Sequence, residues 1–474
     1  MKISNDFSNG RVKLKMADAL FYVFLILMFW AKGLGWYDGQ TLYRIFFWTA
    51  MLCAAGKIVL TGYTKKEWIT VIFFGILAVL IERHSGEKGV LICYAVIAGM
   101  KGIPLKRIIQ IGAYVYGVTL CGMVTYYGVF LEKSAYIEDI RAGIGDAVRY
   151  GLGYSHPNTL MVTCLTAITL IIMCLGESYN WKHAIGLMAG ILYVFWYCMS
   201  YTGVVTSILM ILLPLYLKKI RKEELGVIEY SIGAAALPLS LGYSFLSPYV
   251  MPESILLFLQ EHLGTFYSRL CLAKEFVIPQ NMSLLGTHVS KVSTGKYTLD
   301  NSFLYAFIFN GVLFFGIIIV LYFYMMYRLI KEKRNLELII VCIFLVEAIM
   351  EPFMFNTSFK NITLFFLGEL IWEKSGHTDG RFDGLKIAIP DIVGEQVCLL
   401  AECWNKNRKK ILSISGVAGI LVLVAYILKN GLFDFSQIVL NVTLRSYVAA
   451  AWFGFVVVGL SLYMIFCVKS IYAK

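Results

Sequence analysis

Apolar stretches recur along almost the whole chain and are separated by shorter polar segments. Most of them approach the ~20 residues that an α-helix needs to cross a lipid bilayer. Strict alternation of apolar and polar residues, which is typical of a membrane-spanning β-strand, is absent. The pattern predicts an all-α polytopic membrane protein with about 12–14 transmembrane helices. The predicted spans are roughly 17–34, 41–61, 68–82, 89–100, 107–131, 158–176, 183–199, 201–217, 227–246, 302–327, 336–355, 361–372, 411–429 and 447–467.

The composition favours a membrane protein over a soluble one. Of the 474 residues, 59% are hydrophobic and 15% are charged, whereas about 25% of an ordinary soluble domain is charged. This composition excludes two classes of protein. One is a soluble enzyme with a small membrane anchor, and the other is a disordered chain. Only one of the 11 cysteines, Cys271, lies in a segment predicted to face the outside, so a disulfide scaffold is excluded as well. We expect residues 1–474 to form a single integral membrane domain.

Positive charge gives the predicted orientation. Lys and Arg are denser in the segments that fall inside when the N-terminus is placed in the cytoplasm, for example at Lys65-Lys66, Lys218–Lys222 and Arg408–Lys410. Cytoplasmic loops carry such an excess. We therefore predict a multi-pass protein of the cell membrane with both termini in the cytoplasm. The first apolar stretch lacks a small-residue cleavage site and is expected to be retained as a helix.

Three segments between the predicted spans are long. Residues 132–157 and 247–301 are predicted to lie outside the cell, and 373–410 to lie inside. The large outer segment 247–301 contains apolar patterns with helical spacing, so we expect it to fold against the membrane. Within the inner segment, residues 387–403 read as an amphipathic surface helix. The two spans predicted in 411–474 complete the chain.

A first group of candidate site residues precedes the span at 158–176. Arg141, Arg149, His156 and Asn158 lie in a glycine-rich stretch, and Pro157 suits the first turn of the following helix. The free N–H groups of a helix start, together with arginine side chains, can hold an anionic group such as a phosphate. The alternative is a glycine-rich helix cap beside a solvated arginine.

A second group lies in the large outer segment. Arg269 falls in an apolar helical pattern. Its side chain either covers the helix surface with its apolar stem or points its guanidinium group into a site. His288 has the side chain best suited to exchange a proton near neutral pH, although a loop histidine is often only solvated. Asp300 and Asn301 precede a span and are either site residues or a helix N-cap.

Few charged residues interrupt the spans. Arg44 and Lys57 lie near span ends and can extend to the surface. Glu347 and Glu351 are one helical turn apart near the end of a predicted span, and Glu369 also lies near the end of a predicted span. A proton or cation relay needs more such groups through the bilayer, which argues against an ion-coupled transporter. No nucleotide-binding loop or metal-ligand spacing is present, so we expect no cofactor, no metal and no nucleic-acid partner.

Several motifs, in order, resemble those of a known family. The stretch Arg149–Asn158, Arg-Tyr-Gly-Leu-Gly-Tyr-Ser-His-Pro-Asn, resembles the Gly-x-x-His-Pro-Asn segment of Wzy-type polysaccharide polymerases, which belong to the O-antigen ligase and polymerase superfamily. Ser200–Gly203 is similar to their Ser-Arg/Tyr-Thr-Gly turn. Ser268-Arg269 and Leu299–Leu304 resemble their outer-loop arginine and their Asp-Asn segment.

The resemblance implies a glycosyl transfer outside the cytoplasmic membrane. Undecaprenyl-diphosphate-linked oligosaccharide units would serve as donor and acceptor, with membrane lipid around them and possible help from a flippase and a chain-length regulator. A substrate-binding role is implied for Arg141, Arg149, His156, Asn158 and Arg269. The base would be His288 or Asp300. The expected product is a capsular polysaccharide or an exopolysaccharide.

Two other functions remain open at this point. A lipid-linked glycan ligase of the same superfamily differs in its acceptor, which the sequence does not reveal. An oligosaccharide flippase or other transporter would show short loops on both faces and charges lining a central cavity.

Overall fold

The computed structural model describes residues 11–141, 145–262, 264–292, 299–373, 375, 384–390, 392–430, 447–459 and 461–462. The described chain is mostly helical, which confirms the helical part of the prediction. The helices are α1 (Met16–Gly33), α2 (Thr41–Leu60), α3 (Lys65–Ser85), α4 (Gly89–Gly99), α5 (Leu105–Val129), α6 (Pro157–Leu175), α7 (Trp181–Cys198), α8 (Tyr201–Lys219), α9 (Val227–Phe245), α10 (Ser247–Val250), α11 (Glu253–His262), α12 (Gly264–Phe276), α13 (Ser302–Ile308), α14 (Val312–Lys331), α15 (Asn335–Ala348), α16 (Thr363–Trp372), α17 (Ile392–Asn430) and α18 (Tyr447–Gly459).

Eight helical stretches are long and apolar enough to cross a membrane. They are Met16–Gly33, Thr41–Leu60, Lys65–Ser85, Leu105–Val129, Pro157–Ser178, Tyr201–Lys219, Val312–Lys331 and Lys406–Leu428. Three further apolar helices, α4, α16 and α18, are shorter. The chain thus has the helices of a multi-pass membrane protein, while the count of 12–14 spans and the orientation stay predictions. The end of the last predicted span lies outside the described residues.

Two small antiparallel sheets correct the all-α prediction. Strands β1 (Arg11–Lys15) and β4 (Lys386–Pro390) pair with each other, so the surface helix predicted from residue 387 begins only at Ile392. Strands β2 (Tyr136–Arg141) and β3 (Gly145–Tyr150) form a hairpin inside the long segment 132–157. The hairpin carries Arg149 on its second strand.

The predicted span at 302–327 is interrupted. Helix α13 ends at Ile308 and α14 begins at Val312, because the intervening chain packs directly against the loop at Gly286. A Cβ atom on Gly286 would lie 2.1 Å from the Phe309 carbonyl oxygen, and one on Gly311 would lie 2.3 Å from the Gly286 nitrogen. Both glycines also have positive φ angles, which other residues rarely adopt.

The predicted span at 336–355 ends early as well. Helix α15 stops at Ala348, and an irregular segment continues to Ile362. Pro352 disfavours helical angles at the preceding residue and removes one N–H donor. The Ser302 hydroxyl donates a hydrogen bond to the Glu351 carbonyl oxygen and accepts one from the Met354 N–H. The irregular segment is thereby fixed against the start of α13.

The large segment 247–301 contains helices α10, α11 and α12, in agreement with its apolar helical patterns. Its end is fixed by Asn301, whose side-chain oxygen accepts hydrogen bonds from the Phe303 and Leu304 N–H groups. Helix α6 packs against α5, α7 and α8, and α15 packs against α8 and α9. These contacts bring the start of α6, the end of α15 and the start of α13 to one end of the helices.

Candidate functional site

A continuous chain of polar contacts joins residues that are far apart in sequence. It runs from Arg149 through Asn158 and Glu351 to Arg269. These four residues and Asp300, which lies beside Arg269, are called the polar cluster below. Both sequence groups that were predicted to bind substrate contribute to it. The member that connects them, Glu351, was not among the predicted site residues.

Arg149 enters the cluster from strand β3. Its Nε donates to the Cys198 carbonyl oxygen at 2.8 Å, where α7 ends, and its Nη2 donates to Asn158 Oδ1 at 2.6 Å. Arg149 is only 3% exposed. A buried guanidinium group is tolerated where hydrogen bonds replace water. Arg149 is therefore a fixed part of the site and not a solvated residue of a glycine-rich cap.

Asn158 is held by the start of helix α6. His156 is the N-cap residue, and its Nδ1 accepts a hydrogen bond from the Asn158 N–H at 3.1 Å. Pro157 takes the first helical position, where its missing N–H has no consequence. The backbone at the start of α6 thus directs the Asn158 amide between Arg149 and Glu351.

Glu351 lies at the centre of the polar cluster. Its Oε1 accepts hydrogen bonds from Asn158 Nδ2 at 2.7 Å and from Arg269 Nη2 at 2.8 Å. The side chain is 11% exposed, as is that of Arg269. A buried carboxylate needs such charged and polar partners to remain ionised. Glu351 therefore links the segment before α6 to helix α12 of the large segment.

Arg269 faces a small cavity with part of its bonding capacity unused. Tyr243, Ser244, Asp300, Asn301 and several apolar residues form the rest of the lining. Within the described chain, Arg269 Nε and the Tyr243 hydroxyl are buried without a hydrogen-bond partner. Buried donors of this kind are rare in proteins and indicate a place for a ligand atom or a water molecule.

Asp300 and Asn301 have separate roles. Asn301 caps α13, and its Nδ2 donates to the Ser244 hydroxyl and to the Ile349 carbonyl oxygen. Asp300 Oδ2 lies 3.5 Å from Arg269 Nη2, and its side chain is 29% exposed. The more accessible of the two carboxylates beside Arg269 is therefore Asp300.

Two more buried charged residues surround the cluster. Glu347 is the penultimate residue of α15 and accepts a hydrogen bond from the Thr206 hydroxyl at 2.8 Å. Its other oxygen, Oε1, is buried and has no partner among the described residues. Lys360 is 3% exposed, and its Nζ donates to the Thr159 carbonyl oxygen at 2.7 Å. The neighbourhood of Asn158 therefore holds charges of both signs.

Two of the predicted site residues are not joined to the cluster by a described contact. The side chain of His288 forms its hydrogen bonds, within the described part of the chain, with the hydroxyl and N–H groups of Ser290. Its ring lies close to Gly86 at the end of α3. Arg141 ends strand β2 opposite Gly145, but its side chain lies outside the described atoms.

Glu351 was missed because it looked like an ordinary charge near a helix end. A usable signal was nevertheless present. Ionisable residues inside apolar segments are costly and usually have a named partner. Glu351 needed a cation, and the predicted sites already supplied Arg149 and Arg269 as candidates.

The cluster places an arginine with an unused buried donor beside an accessible carboxylate, a combination that can bind an anion and accept a proton. Arg269 can exchange its long contact with Asp300 for a ligand oxygen, and a released carboxylate can accept a proton. Within the described residues, no group of three or more His, Cys, Asp and Glu side chains is arranged to hold a metal ion.

Comparisons with protein-family models, with curated proteins and with solved structures each found no match.

Proposed function

We propose that this protein polymerises undecaprenyl-diphosphate-linked oligosaccharide repeat units at the outer face of the cytoplasmic membrane. One observation carries the proposal. Glu351 binds Asn158 and Arg269, so the two segments that resemble motifs of Wzy-type polymerases meet at one carboxylate. Burying charged groups costs free energy even when they are paired. An ion pair buried between segments about 110 residues apart therefore has no simple structural reason.

The donor's diphosphate would bind at Arg269 with one phosphate oxygen in the cavity, whose volume of about 20 Å³ has room for a single such atom. The unused Nε group and the Tyr243 hydroxyl can each donate a hydrogen bond to a phosphate oxygen. The contact to Asp300, at 3.5 Å, is the weaker of the two carboxylate contacts of Arg269 and is the one that a phosphate would replace. A cation beside the leaving diphosphate stabilises the charge that develops there.

Asp300 would then act as the base. The terminal sugar hydroxyl of the acceptor attacks the anomeric carbon of the donor, and the bond from that carbon to the diphosphate oxygen breaks. Asp300 accepts the hydroxyl proton, and undecaprenyl diphosphate leaves with the electron pair of the broken bond. The exposure of the Asp300 carboxylate supports this role over Glu351, which is held by two donors.

A ligase of the same superfamily would use the same donor site with a different acceptor, and it is the second candidate. A flippase is the third, but a buried cluster joined to the large segment 247–301 favours a reaction over passage through a central cavity. A separate flippase and a chain-length regulator remain the proposed partners.

The proposal is tested by deleting the gene and analysing the lipid-linked glycans of the cells. Single repeat units that accumulate on the outer face, with loss of polymer, are the expected result. Polymer that is still made but no longer transferred to its final acceptor would indicate a ligase. Single units trapped on the inner face would contradict the proposal and indicate a flippase.

A further inference from the structure

A second concave surface is formed in part by the residues just before helix α6, and its character differs from that of the polar cluster. Its volume is about 480 Å³, within the range of pockets that bind small ligands. Three parts of the chain form it: the loop that follows α1, the last turns of α5 with the residues after them, and the stretch 153–155 that leads into α6. We call this surface the aromatic groove.

The walls of the groove are fixed by close backbone contacts. Gly35 has a positive φ angle, and a Cβ atom there would lie 2.8 Å from the Gly153 carbonyl oxygen. A Cβ atom on Gly153 would lie 2.5 Å from the Tyr127 ring. The buried Tyr154 hydroxyl donates to the Gly33 carbonyl oxygen at 2.6 Å. The groove is therefore a built surface and not a gap between loosely packed loops.

Aromatic rings and uncharged polar groups line the groove. Trp36, Tyr37 and Tyr127 provide the rings, and Gln40 and Ser155 provide an amide and a hydroxyl. In the part of the chain that the structure describes, Trp36 Nε1, the hydroxyls of Tyr37, Tyr127 and Ser155, and Gln40 Nε2 have no hydrogen-bond partner. These groups are free to bind a ligand. The one charged residue of the lining, Lys133, is exposed and lies at the rim.

From this lining we infer that the aromatic groove binds a pyranose unit of the acceptor glycan. The apolar C–H face of a sugar ring packs on an aromatic ring, while its hydroxyls bind amide and hydroxyl groups. A polyprenyl tail would need a lining without unused donors, and a diphosphate would need more than one cation. The inference rests on the proposed function and adds to it the place of the acceptor.

The position of the groove suits an acceptor. Ser155 is one residue before the N-cap His156 and three before Asn158 of the polar cluster. A glycan that lies in the groove would therefore reach the cluster along the same short stretch of chain. The donor diphosphate at Arg269 and the acceptor sugar would approach Asn158 from two different surfaces.

The test uses the full-length protein in lipid nanodiscs and two probes. The first probe is the oligosaccharide mixture that mild acid releases from the lipid-linked glycans of the source cells, detected by saturation-transfer NMR. The second is inorganic pyrophosphate, detected by phosphorus NMR line broadening. We expect Trp36→Ala to weaken saccharide binding at least about tenfold, because aromatic side chains dominate such contacts, and to leave pyrophosphate binding unchanged.

Variants with smaller changes distinguish a loss of saccharide binding from misfolding. Trp36 also packs on Phe46, with the ring centroids 5.1 Å apart, so its loss has a structural component. Tyr127→Phe and Ser155→Ala remove only hydroxyl groups and should each weaken saccharide binding a fewfold. Tyr114→Ala is the matched control, because Tyr114 lies on the same helix as Tyr127 but is 74% exposed and outside the groove.

The outcomes separate this inference from the proposed function. Saccharide binding that is absent from the natural protein, or equal in Trp36→Ala, Tyr127→Phe and Tyr114→Ala, would overturn the groove as the acceptor site. That result leaves the proposed polymerase in place, provided that Arg269→Ala still abolishes polymer. Full polymer formation by Arg269→Ala together with groove-dependent saccharide binding would instead overturn the polymerase and keep the sugar site.

Discussion

The two ends of helix α15 each hold an arginine between two carboxylates. Arg334 precedes the helix and contacts Glu337 and Glu369. Beyond the other end, Arg269 contacts Glu351 and Asp300. The two arginine side chains are 20% and 11% exposed. One guanidinium group and two carboxylates therefore occur at each end, with comparable burial.

The difference lies in how each arginine uses its donors. Arg334 directs Nε and Nη2 to Glu337, and Nη2 also reaches Glu369. Arg269 lines a cavity and bonds through Nη2, whereas its buried Nε has no partner among the described residues. An arginine whose Nε and Nη2 are both bonded to carboxylates stabilises a junction between helices, but an arginine with an unused buried Nε can bind a ligand. Counting ion pairs does not separate the two roles.

Replacing the two arginines one at a time should give the greatest difference in polymer formation between the two ends of α15. Arg269→Ala should reduce polymer formation at least about 10³-fold, because the proposed function uses this cation to stabilise the developing charge of the leaving group. Arg334→Ala should leave polymer formation within about twofold. Both are measured by gel analysis of polymer from cells that contain equal amounts of each variant. Polymer of natural length from Arg269→Ala would remove this residue from the site.

A second pair of variants compares the carboxylates in stability. Glu351→Gln should lower the free energy of unfolding by about 3 kcal/mol, because it removes one charge from a buried ion pair. Glu337→Gln should lower it by less than about 1 kcal/mol, because Glu337 and Arg334 form a local i,i+3 pair and Arg334 keeps its second partner, Glu369. Unfolding is followed by tryptophan fluorescence in a denaturing detergent titration. Equal losses of unfolding free energy in the two variants would mean that Glu351 and Glu337 contribute equally to stability despite their different surroundings.

A third pair tests the proposed base. Asp300 and Glu369 have side chains that are 29% and 30% exposed, so they are closely matched. Asp300→Asn should slow the transfer about 10²-fold at saturating acceptor, which is the lower range for loss of a general base. Glu369→Gln should leave the rate unchanged. If His288→Gln slows the transfer more than Asp300→Asn, the base is His288, and the acceptor hydroxyl lies nearer to Gly86 than to Arg269.

Hydrophobic patterning predicted the helices well, because a helix in lipid must be apolar over most of its length. The breaks in helices were harder to predict. The interruption at 309–311 depends on contact with Gly286, which lies more than 20 residues earlier in the chain. The hairpin that carries Arg149 was missed because strands β2 and β3 are short and contain polar residues.

The cations of the candidate site could be predicted from the sequence, but its central carboxylate could not. Arg149, Asn158 and Arg269 were recognised from local sequence, and the structure brings them together. Glu351 was not recognised, because its position in a predicted span suggested a residue near a membrane surface. Only the end of α15 at Ala348 and the irregular chain after it place Glu351 between two separate segments. Tertiary contacts of this kind leave no periodic signal in the sequence.

The smallest expected effect concerns Glu87, a half-buried residue of the loop between α3 and α4. Burial raises the pKa of Glu87 above its usual value, with a further contribution from Asp38, against the opposing effects of a hydrogen bond from Tyr305 and the charges of Lys88 and His288. Folding thus favours the protonated acid, and the stability that this provides is lost as the pH rises through the raised pKa. Glu87→Gln should therefore increase the apparent melting temperature slightly at pH 7 and leave it unchanged at pH 4. Exposed Glu261 offers the control Glu261→Gln. A lower melting temperature for Glu87→Gln at pH 7 would show that the ionised Glu87 carboxylate stabilises the fold, as we expect of Glu351 beside Arg269.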